Sequence, residues 1–389
     1  MAKKQMLLQG IFPPITTPFY PDGRVYLKKL EANVERYSKT PVAGIAVLGS
    51  TGEAVMLSDE ERHQVLKTAR ESCAPHKVLI AGTGAESAFE TLYLTEYAAD
   101  LGYDLALVRT PFFYRSQMQP GNLLAFYRAV ADRSPLPVLI YNVPPFTNYD
   151  MPAELIIELS EHPNIIGLKE SSGDVEKVRR MVQATRHITR SATVTATFDA
   201  VTPRMMKAAE PESSNGGGGG LVSIGALTGA KSAPLRTGAP ADPALSDRSE
   251  GGSRMGPAGQ RSAPAGSTSN LKTRQKEVGF QILVGAAQKL HPSLEAGAVG
   301  AVLAFACPAP TACYEIYAAW KEGDQSLAAL KQERILQPAQ RVASELSVSG
   351  LKYAMDFNGY YGGPPRSPLL PLTADLKAEV ERLMADIRN

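Results

Sequence analysis

The chain has 389 residues, a length that predicts either two ordinary domains or one large barrel with additions. Apolar residues make up 44% and charged residues 21% of the chain, which is typical of globular proteins and excludes collagen, coiled coils and wholesale disorder. Lys and Arg number 41 against 39 Asp and Glu, and the two signs are interspersed. Neither a nucleic-acid partner nor a membrane partner is therefore predicted.

Two further features concern the cellular setting. Apolar runs such as 155–157 are far shorter than the roughly 18 residues of a membrane helix, and residues 1–5 lack the apolar region of a signal peptide. We therefore expect a cytoplasmic protein. The three cysteines, Cys73, Cys307 and Cys313, show neither C-x-x-C nor Cys/His spacing, so we predict no disulfide framework and no zinc site.

Short apolar runs alternate with stretches long enough for crossover helices over the first 190 residues. Runs without polar alternation are typical of strands buried on both faces of a parallel sheet. Six such strands are predicted, at Gly10–Ile15, Gly44–Leu48, Val78–Ala81, Leu105–Val108, Val138–Tyr141 and Ile165–Lys169. The segments between them are amphipathic, and Ser58 with Glu61 forms a capping box that predicts a helix start.

The composition changes after the sixth strand–helix unit. Residues 211–270 contain 38 Gly, Ser, Pro or Ala, lack aromatic residues and include five consecutive glycines at 216–220. Such a segment cannot bury enough apolar surface to offset the entropy of ordering it. We predict a low-complexity, largely disordered insertion at about 190–277. A translated non-coding stretch explains the same composition equally well.

The strand pattern resumes with Phe280–Gly285 and Gly300–Ala304, which supply strands seven and eight. Eight regular units favour a closed (β/α)8 TIM barrel over an open doubly wound sheet, and no G-x-G-x-x-G follows the first strand. The predicted barrel spans 1–312, with the insertion between strands six and seven. A C-terminal helical extension is expected over 313–389. Its last helix carries one apolar stripe, formed by Leu376, Val380, Leu383, Met384 and Ile387.

Catalytic residues of such a barrel lie at the carboxyl ends of its strands, where two candidates are found. Lys169 ends strand six after an apolar run, and burial there would lower its pKa and supply a free amine for a Schiff base. A rim lysine paired with Glu170 or another acid is the alternative. Tyr141 ends the neighbouring strand five, where its phenol is a candidate acid/base, although a core tyrosine explains the same position.

Two loops beside these strand ends offer small polar residues. Gly49–Glu53 follows strand two and contains two hydroxyls, Ser50 and Thr51, together with backbone N–H groups that could hold a carboxylate. Ser171 comes shortly after Lys169. An ordinary glycine turn and a helix cap explain both loops without any ligand.

Three spaced motifs together resemble a known family. G-S-T-G-E at 49–53, Y-N-V-P at 141–144 and G-L-K-E at 167–170 are similar to the Schiff-base pyruvate lyases of the dihydrodipicolinate synthase and N-acetylneuraminate lyase superfamily. The resemblance covers residues 8–188 and 279–389. The ending, with G-L-K at 350–352, D-F-N-G-Y-Y-G-G at 356–363 and P-R-S-P-L at 365–369, is most similar to the 4-hydroxy-2-oxoglutarate aldolase branch.

This resemblance implies a role for each candidate. Lys169 would form the imine with pyruvate or another 2-oxo acid, and Tyr141 would move the proton. The substrate would be bound by Ser50, Thr51, Ser171 and the main chain of Val302. The resemblance also implies a homotetramer built from dimers, and neither a cofactor nor a metal, because the protonated imine is itself the electron sink.

Two positions depart from the family's pattern. At Phe113 the family usually has a tyrosine that completes a proton relay in a neighbouring subunit, so the relay would be shortened, carried by water or taken over by Tyr114. At Phe146 dihydrodipicolinate synthases carry an arginine, so an apolar ring stands in place of a bidentate cation. Arg109 and Arg115 could compensate for that loss, or could be solvated rim charges.

The sequence therefore predicts a class I aldolase that cleaves a 4-hydroxy-2-oxo acid, in the first place 4-hydroxy-2-oxoglutarate, to pyruvate and glyoxylate. Three alternatives retain the same imine: dihydrodipicolinate synthesis from pyruvate and aspartate semialdehyde, sialic-acid-type cleavage, and dehydration of a sugar-derived 2-oxo acid. An inactive barrel that binds 2-oxo acids is an alternative of another class.

Overall fold

The computed structural model describes residues 7–195 and 273–387. Its strands are β1 (Gly10–Ile11), β2 (Gly44–Val47), β3 (Val78–Gly82), β4 (Leu105–Arg109), β5 (Val138–Asn142), β6 (Ile165–Glu170), β7 (Arg190–Thr195), β8 (Thr273–Val278), β9 (Gln281–Val284) and β10 (Gly300–Ala301). Eight of them form one parallel sheet in the order β1-β10-β9-β6-β5-β4-β3-β2. A parallel bridge from Pro14 to Ala46 joins the first strand to the second. The predicted (β/α)8 TIM barrel is thus confirmed.

Helices cover the outside of this barrel. Those that follow barrel strands are α1 (Leu27–Ser38), α2 (Asp59–Ser72), α3 (Ala88–Asp100), α4 (Pro120–Arg133), α5 (Pro144–Thr147), α6 (Ala153–Ser160), α7 (Val175–Ala184), α8 (Leu290–Glu295) and α9 (Pro310–Lys321). The chain continues with α10 (Gln325–Pro338), a π-helical segment (Ala339–Glu345), α11 (Ser347–Phe357) and α12 (Ala374–Met384). Helix α2 begins at the predicted capping box, in which the Ser58 side chain accepts from Glu61 N and Glu61 accepts from Ser58 N.

The barrel strands are apolar on both faces. One cluster fills the barrel and consists of Leu8, Phe12, Ala46, Val78, Ile80, Leu105, Leu107, Leu139, Tyr141, Val143, Ile166, Leu283 and Val302. The residues between them, such as Ile45 and Val47 of β2, belong to a second cluster shared with the helices. Because both faces are buried, each strand is a continuous apolar run, which is why the strands can be recognised in the sequence.

The first and last barrel strands are shorter than expected. In the predicted strand Gly10–Ile15, only Gly10–Ile11 pair continuously with β10. Pro13 and Pro14 follow, and they lack the N–H groups that a ladder requires. The predicted Gly300–Ala304 pairs only over its first two residues before the chain enters a 3₁₀ turn. Proline and a tight turn therefore shorten these two strands.

The two ends of the expected insertion form a hairpin. Strands β7 and β8 pair antiparallel along their full lengths, so the predicted disorder of 190–195 and 273–277 is corrected, because each segment satisfies the other's backbone hydrogen bonds. Residues 196–272 lie outside the described residues. The Arg190 guanidinium donates to Ile165 O at 2.6 Å. Since Ile165 begins β6, this end of the hairpin lies at the amino-terminal face of the barrel.

The boundary expected at 312/313 falls inside α9. This helix packs against β1 and against α10, so it covers the barrel wall and belongs to the barrel rather than to the extension. The C-terminal extension therefore begins with α10. Its last helix, α12, buries Val380 and Met384, and Ile387 just beyond it is also buried, as the apolar stripe predicts.

Candidate active site

Lys169 and Tyr141 lie side by side at the carboxyl ends of β6 and β5. The parallel register pairs these two residues directly. Lys169 is 4% exposed and Tyr141 is 5% exposed, and the Lys169 Nζ lies 3.9 Å from the centroid of the Tyr141 ring. The register of two neighbouring strands therefore brings the predicted nucleophile and the predicted acid/base together.

The turn after β2 lies next to this pair. The Ser50 Oγ is 3.2 Å from the Tyr141 hydroxyl, within hydrogen-bonding distance. Thr51 is buried in the same 3₁₀ turn. The turn is fixed to the segment after β1, since the Thr17 Oγ1 donates to Gly52 O at 2.6 Å. Ser50 is thus in contact with the site, with Thr51 beside it in the chain.

Ser171 and Val302 follow other strands of the same barrel edge. Ser171 N donates to Asn142 O at 3.0 Å, which joins the loop after β6 to the end of β5. Val302 N donates to Val284 O at 2.9 Å, and the Val302 side chain belongs to the barrel interior. A Cβ on Gly285 would lie 1.9 Å from the Ser171 Oγ, so this approach requires glycine.

Glu170 is engaged with partners other than Lys169. Its carboxylate accepts from the Asn142 Nδ2 at 2.8 and 3.1 Å and from Ser172 N at 2.8 Å, and it pairs with the Lys177 Nζ at 3.2 Å. Consecutive side chains of a strand point to opposite faces, so Glu170 points away from Lys169. Within the described ranges Lys169 forms no ion pair, and the rim pair with Glu170 considered above is excluded.

A cavity of about 570 Å³ opens beside Ser50 and Tyr141. Its walls come from the turn after β2, the loops after β3 and β4, and the start of α2. Its titratable lining residues are Asp59, Arg62, Glu86, Glu90, Arg109, Tyr114 and Tyr141. Lys169, Thr51, Ser171 and Val302 do not line it, so the cavity meets the site at the side of Tyr141.

The two arginines that could compensate at Phe146 are differently placed. The Arg109 Nη1 lies 2.7 Å from the Glu86 Oε1, so Arg109 is already held in an ion pair at the cavity wall. Burial raises the pKa of Glu86, but the N–H groups of Phe113 and Phe112 together with Arg109 outweigh it, so the pKa of Glu86 is lowered. Arg115 is exposed in the turn after β4.

Three exposed aromatic side chains lie at loops after β4 and β5. Phe113 is 72% exposed, Tyr114 is 67% exposed and Phe146 is 55% exposed. The rings of Phe113 and Tyr114 meet edge to face at 5.1 Å, and Tyr114 lines the cavity whereas Phe113 does not. Both departures from the family pattern are therefore solvent-accessible residues in this chain.

Sequence reasoning missed a buried ion pair under the turn that carries Ser50. The Lys352 Nζ lies 2.5 Å from the Glu53 Oε1, and both side chains are almost fully buried. Burial lowers the pKa of Lys352, and the attraction of Glu53 opposes that shift. Glu53 belongs to the G-S-T-G-E motif, but nothing in the local sequence of Lys352 indicates its partner, because the two residues are far apart in the chain.

Within residues 7–195 and 273–387, no group of three His, Cys, Asp or Glu side chains could hold a metal ion, and no helix is long and apolar enough to cross a membrane. The three cysteines are free and buried. Burial raises the pKa of the Cys307 and Cys313 thiols well above the ordinary value, which disfavours their thiolate forms.

The chain is similar to proteins that share one name, 4-hydroxy-tetrahydrodipicolinate synthase. It is 35% identical over 222 residues to 4-hydroxy-tetrahydrodipicolinate synthase of Methanoculleus marisnigri, covering 57% of this chain and 72% of that protein. It is 41% identical over 177 residues to the enzyme of the same name from Xanthomonas campestris, covering 46% of this chain and 58% of that protein. Both names correspond to the synthase alternative rather than to the 4-hydroxy-2-oxoglutarate aldolase branch.

Solved structures share the fold. Dihydrodipicolinate synthase from Bacillus anthracis superposes with a TM-score of 0.71 at 19% identity, covering 99% of this chain and 100% of that chain. The enzyme from Acinetobacter baumannii, solved with pyruvate, superposes with a TM-score of 0.70 at 24% identity and covers 98% of this chain and 99% of its own.

A family model gives the same assignment from sequence. Residues 7–216 and 262–387 match the dihydrodipicolinate synthetase family, so between residues 7 and 387 the match leaves out only 217–261, in the middle of the low-complexity segment. Members of this family are pyruvate-dependent lyases and synthases that form a Schiff base with a lysine. The barrel, the buried lysine at the end of β6 and the matched ranges agree, and the chain belongs to the dihydrodipicolinate synthetase family of Schiff-base lyases.

Proposed function

We propose that Lys169 forms an imine with the 2-oxo group of the substrate in a class I aldolase reaction. The observation that carries this proposal is the position of Lys169, a buried amine 3.9 Å from the ring centroid of Tyr141 and outside any ion pair of the described residues. An amine that no carboxylate engages is available, once deprotonated, to attack a carbonyl carbon. Membership of a lysine-imine family supports the same role.

In the cleavage direction, the Lys169 amine adds to C2 of a 4-hydroxy-2-oxo acid and water is lost, which leaves a protonated imine. Tyr141 accepts the proton of the C4 hydroxyl while the C3–C4 bond breaks, and the bonding electrons pass to the imine nitrogen. The aldehyde leaves, C3 is protonated, and hydrolysis releases pyruvate and the amine. The Ser50 hydroxyl, 3.2 Å from the Tyr141 hydroxyl, offers a path for the proton.

The carboxylate of the 2-oxo acid requires hydrogen-bond donors beside the imine. We assign this role to the hydroxyls and N–H groups of Ser50 and Thr51, with Ser171 and the main chain of Val302 lining the opposite side. Ser50 contacts Tyr141, and Ser171 is joined to Asn142, which follows Tyr141. Hydrogen bonds to an ionised group contribute about 1.5–3 kcal/mol each, enough to orient a small substrate.

As the overall reaction we propose cleavage of a 4-hydroxy-2-oxo acid, in the first place 4-hydroxy-2-oxoglutarate, to pyruvate and glyoxylate. Phe146 disfavours aspartate semialdehyde, because an exposed apolar ring stands where the synthases carry a cation. The choice of 4-hydroxy-2-oxoglutarate rests on the resemblance of residues 350–369 to the aldolase branch. Arg109 is paired with Glu86 and is not free to replace that cation. Tyr114, at the cavity wall beside Phe113, is our candidate for the proton relay.

The second candidate function is dihydrodipicolinate synthesis, in which pyruvate condenses with aspartate semialdehyde. The names of the curated relatives favour it. Both candidates use the same imine and differ only in the partner of pyruvate. In either case we propose a homotetramer, which sedimentation equilibrium of the purified chain would measure.

Trapping with pyruvate and borohydride tests the imine. We expect a stable mass increase on the peptide that contains Lys169, and no increase in Lys169→Ala or Lys169→Arg, because a guanidinium supplies no free amine. Labelling of another lysine, or of none, would contradict the proposal. Steady-state kcat/KM for both reactions then distinguishes the candidates. An enzyme that is trapped by pyruvate but turns over neither substrate would be an inactive binding barrel or act on another 2-oxo acid.

A further inference from the structure

The turn that carries Ser50 and Thr51 ends in a residue with unusual backbone geometry. Glu53 has φ 54° and ψ 30°, in the left-handed region that a non-glycine residue adopts only at an energetic cost. Glu53 N donates to Ser50 O at 3.1 Å, so the conformation of Glu53 is coupled to that of Ser50. The turn therefore needs an external hold to keep its shape.

The C-terminal extension provides this hold. The Lys352 Nζ in α11 lies 2.5 Å from the Glu53 Oε1 and donates to Thr17 O and Pro364 O, both at 2.9 Å. Arg366 N donates to the Glu53 Oε2 at 2.8 Å. Both carboxylate oxygens of Glu53 are thus engaged by residues of the last forty positions of the chain.

Thr17 holds the turn from the other side. Its Oγ1 donates to Gly52 O, and its carbonyl accepts from Lys352, so one residue contacts both the turn and the lysine. The backbone at Gly362 packs closely against α11, because a Cβ on Gly362 would lie 1.8 Å from Lys352 O. The side chains of Lys352 and Glu53 are 1% and 0% exposed, so the ion pair is shielded from solvent.

A buried ion pair of this kind is weak evidence for stability. The desolvation of two charges offsets most of their attraction, and replacing such a pair by apolar groups is often neutral or stabilising. Removing one partner alone is strongly destabilising, because it leaves an unpaired buried charge. Stability by itself therefore does not account for an ion pair placed directly beneath a ligand-binding turn.

We propose that Glu53 and Lys352 are positioning residues, which hold Ser50 and Thr51 in the geometry that binds the carboxylate of the 2-oxo acid. This inference rests on the proposed function of the same site. The extension after α9 would in this way set substrate affinity without touching the substrate. Loss of the pair should raise the KM for the 2-oxo acid by a larger factor than it lowers kcat, because the Lys169–Tyr141 pair stays in place and only the proton path through Ser50 is disturbed.

The test compares Glu53→Gln, Lys352→Met and the double variant. We expect each single change to lower the melting temperature, and the double variant, which has no unpaired buried charge, to recover most of it. The KM should nevertheless stay raised about tenfold or more in the double variant, which corresponds to the loss of about 1.4 kcal/mol of binding free energy. Recovery of both stability and KM in the double variant would overturn the positioning role.

Asn358→Ala is the matched control. The Asn358 side chain is buried and donates to Pro308 O and Ile387 O at 2.8 Å, so it anchors the extension without contacting the turn. This variant should lose stability with an unchanged KM, and an equal rise in KM would overturn the inference.

A direct affinity measurement separates the two proposals. The pyruvate concentration that gives half-maximal borohydride trapping should rise in the Glu53 and Lys352 variants and stay constant in the control. If pyruvate labels the wild type and the half-maximal concentration is the same in all variants, the positioning role alone is overturned. A wild-type chain that pyruvate does not label overturns the proposed function and the inference with it.

Discussion

Phe146 lies in the short helix α5, directly after strand β5 and Tyr141. We expect Phe146→Arg to raise kcat/KM for the condensation of pyruvate with aspartate semialdehyde by roughly tenfold to a hundredfold. A charged hydrogen bond contributes about 1.5–3 kcal/mol, and the exposed position leaves space for the guanidinium. Phe146→Leu is the control and should not produce this gain. An unchanged rate in Phe146→Arg would show that another group binds the semialdehyde carboxylate.

Lys77 is a buried lysine at the opposite end of the barrel, just before β3. Its Nζ donates to Thr40 O and Val42 O at 2.7 Å. Burial lowers the pKa of Lys77 to about 8. Between about pH 8 and its ordinary value of 10.5, the unfolded chain retains a proton that the native chain has lost. Because stability rises with pH wherever the unfolded state binds more protons, Lys77 contributes a stability gain across this window.

The lowered pKa of Lys77 can be tested by comparing the free energy of unfolding of the wild type with that of Lys77→Met. We expect the free energy of unfolding of the wild type, relative to Lys77→Met, to increase by at most about 3 kcal/mol as the pH rises through this window. Subtracting the variant removes the contributions of other groups that titrate there. Urea unfolding at several pH values measures the difference, and a constant or falling difference would contradict a lowered pKa.

At the scale of elements, the loops after β6 and β9 must approach each other closely. Gly285→Ala places a Cβ 1.9 Å from the Ser171 Oγ and 2.8 Å from its Cβ. Overpacking of this kind typically costs about 1–3 kcal/mol, so we expect a lower melting temperature. Ser171→Gly in the same chain removes both contacts and should restore stability, whereas Ser171→Ala should restore less. Equal melting temperatures for Gly285→Ala and the wild type would mean that the loops can separate freely.

The low-complexity segment is linked in sequence to the barrel by the paired strands β7 and β8. The Arg190 end of this hairpin lies at the amino-terminal face, whereas Lys169 and Tyr141 lie at the carboxyl ends of their strands. The family match omits residues 217–261. We therefore expect excision of 211–270 to leave pyruvate trapping and the melting temperature near their wild-type values. Loss of both would show that the segment is structural.

Local patterns in the sequence determine most of the barrel and the position of the proposed nucleophile. Strands that are buried on both faces must be continuous apolar runs, so their number, order and approximate limits follow from the sequence. A lysine at the end of such a run is necessarily at the catalytic edge of a parallel barrel. The proximity of Lys169 to Tyr141 could also be predicted from the sequence, because the strands of consecutive βα units are neighbours in the barrel.

Only the tertiary structure decides the contacts between distant parts of the chain. The Glu53–Lys352 pair, the approach of Gly285 to Ser171 and the ion pair of Arg109 with Glu86 each join residues that lie in separate elements or loops. The hairpin of β7 with β8 was missed because short polar strands acquire their partners only when both ends of a long segment meet. Periodicity and composition report how each segment is buried, whereas loop–loop contacts depend on how the closed barrel brings its strand ends together.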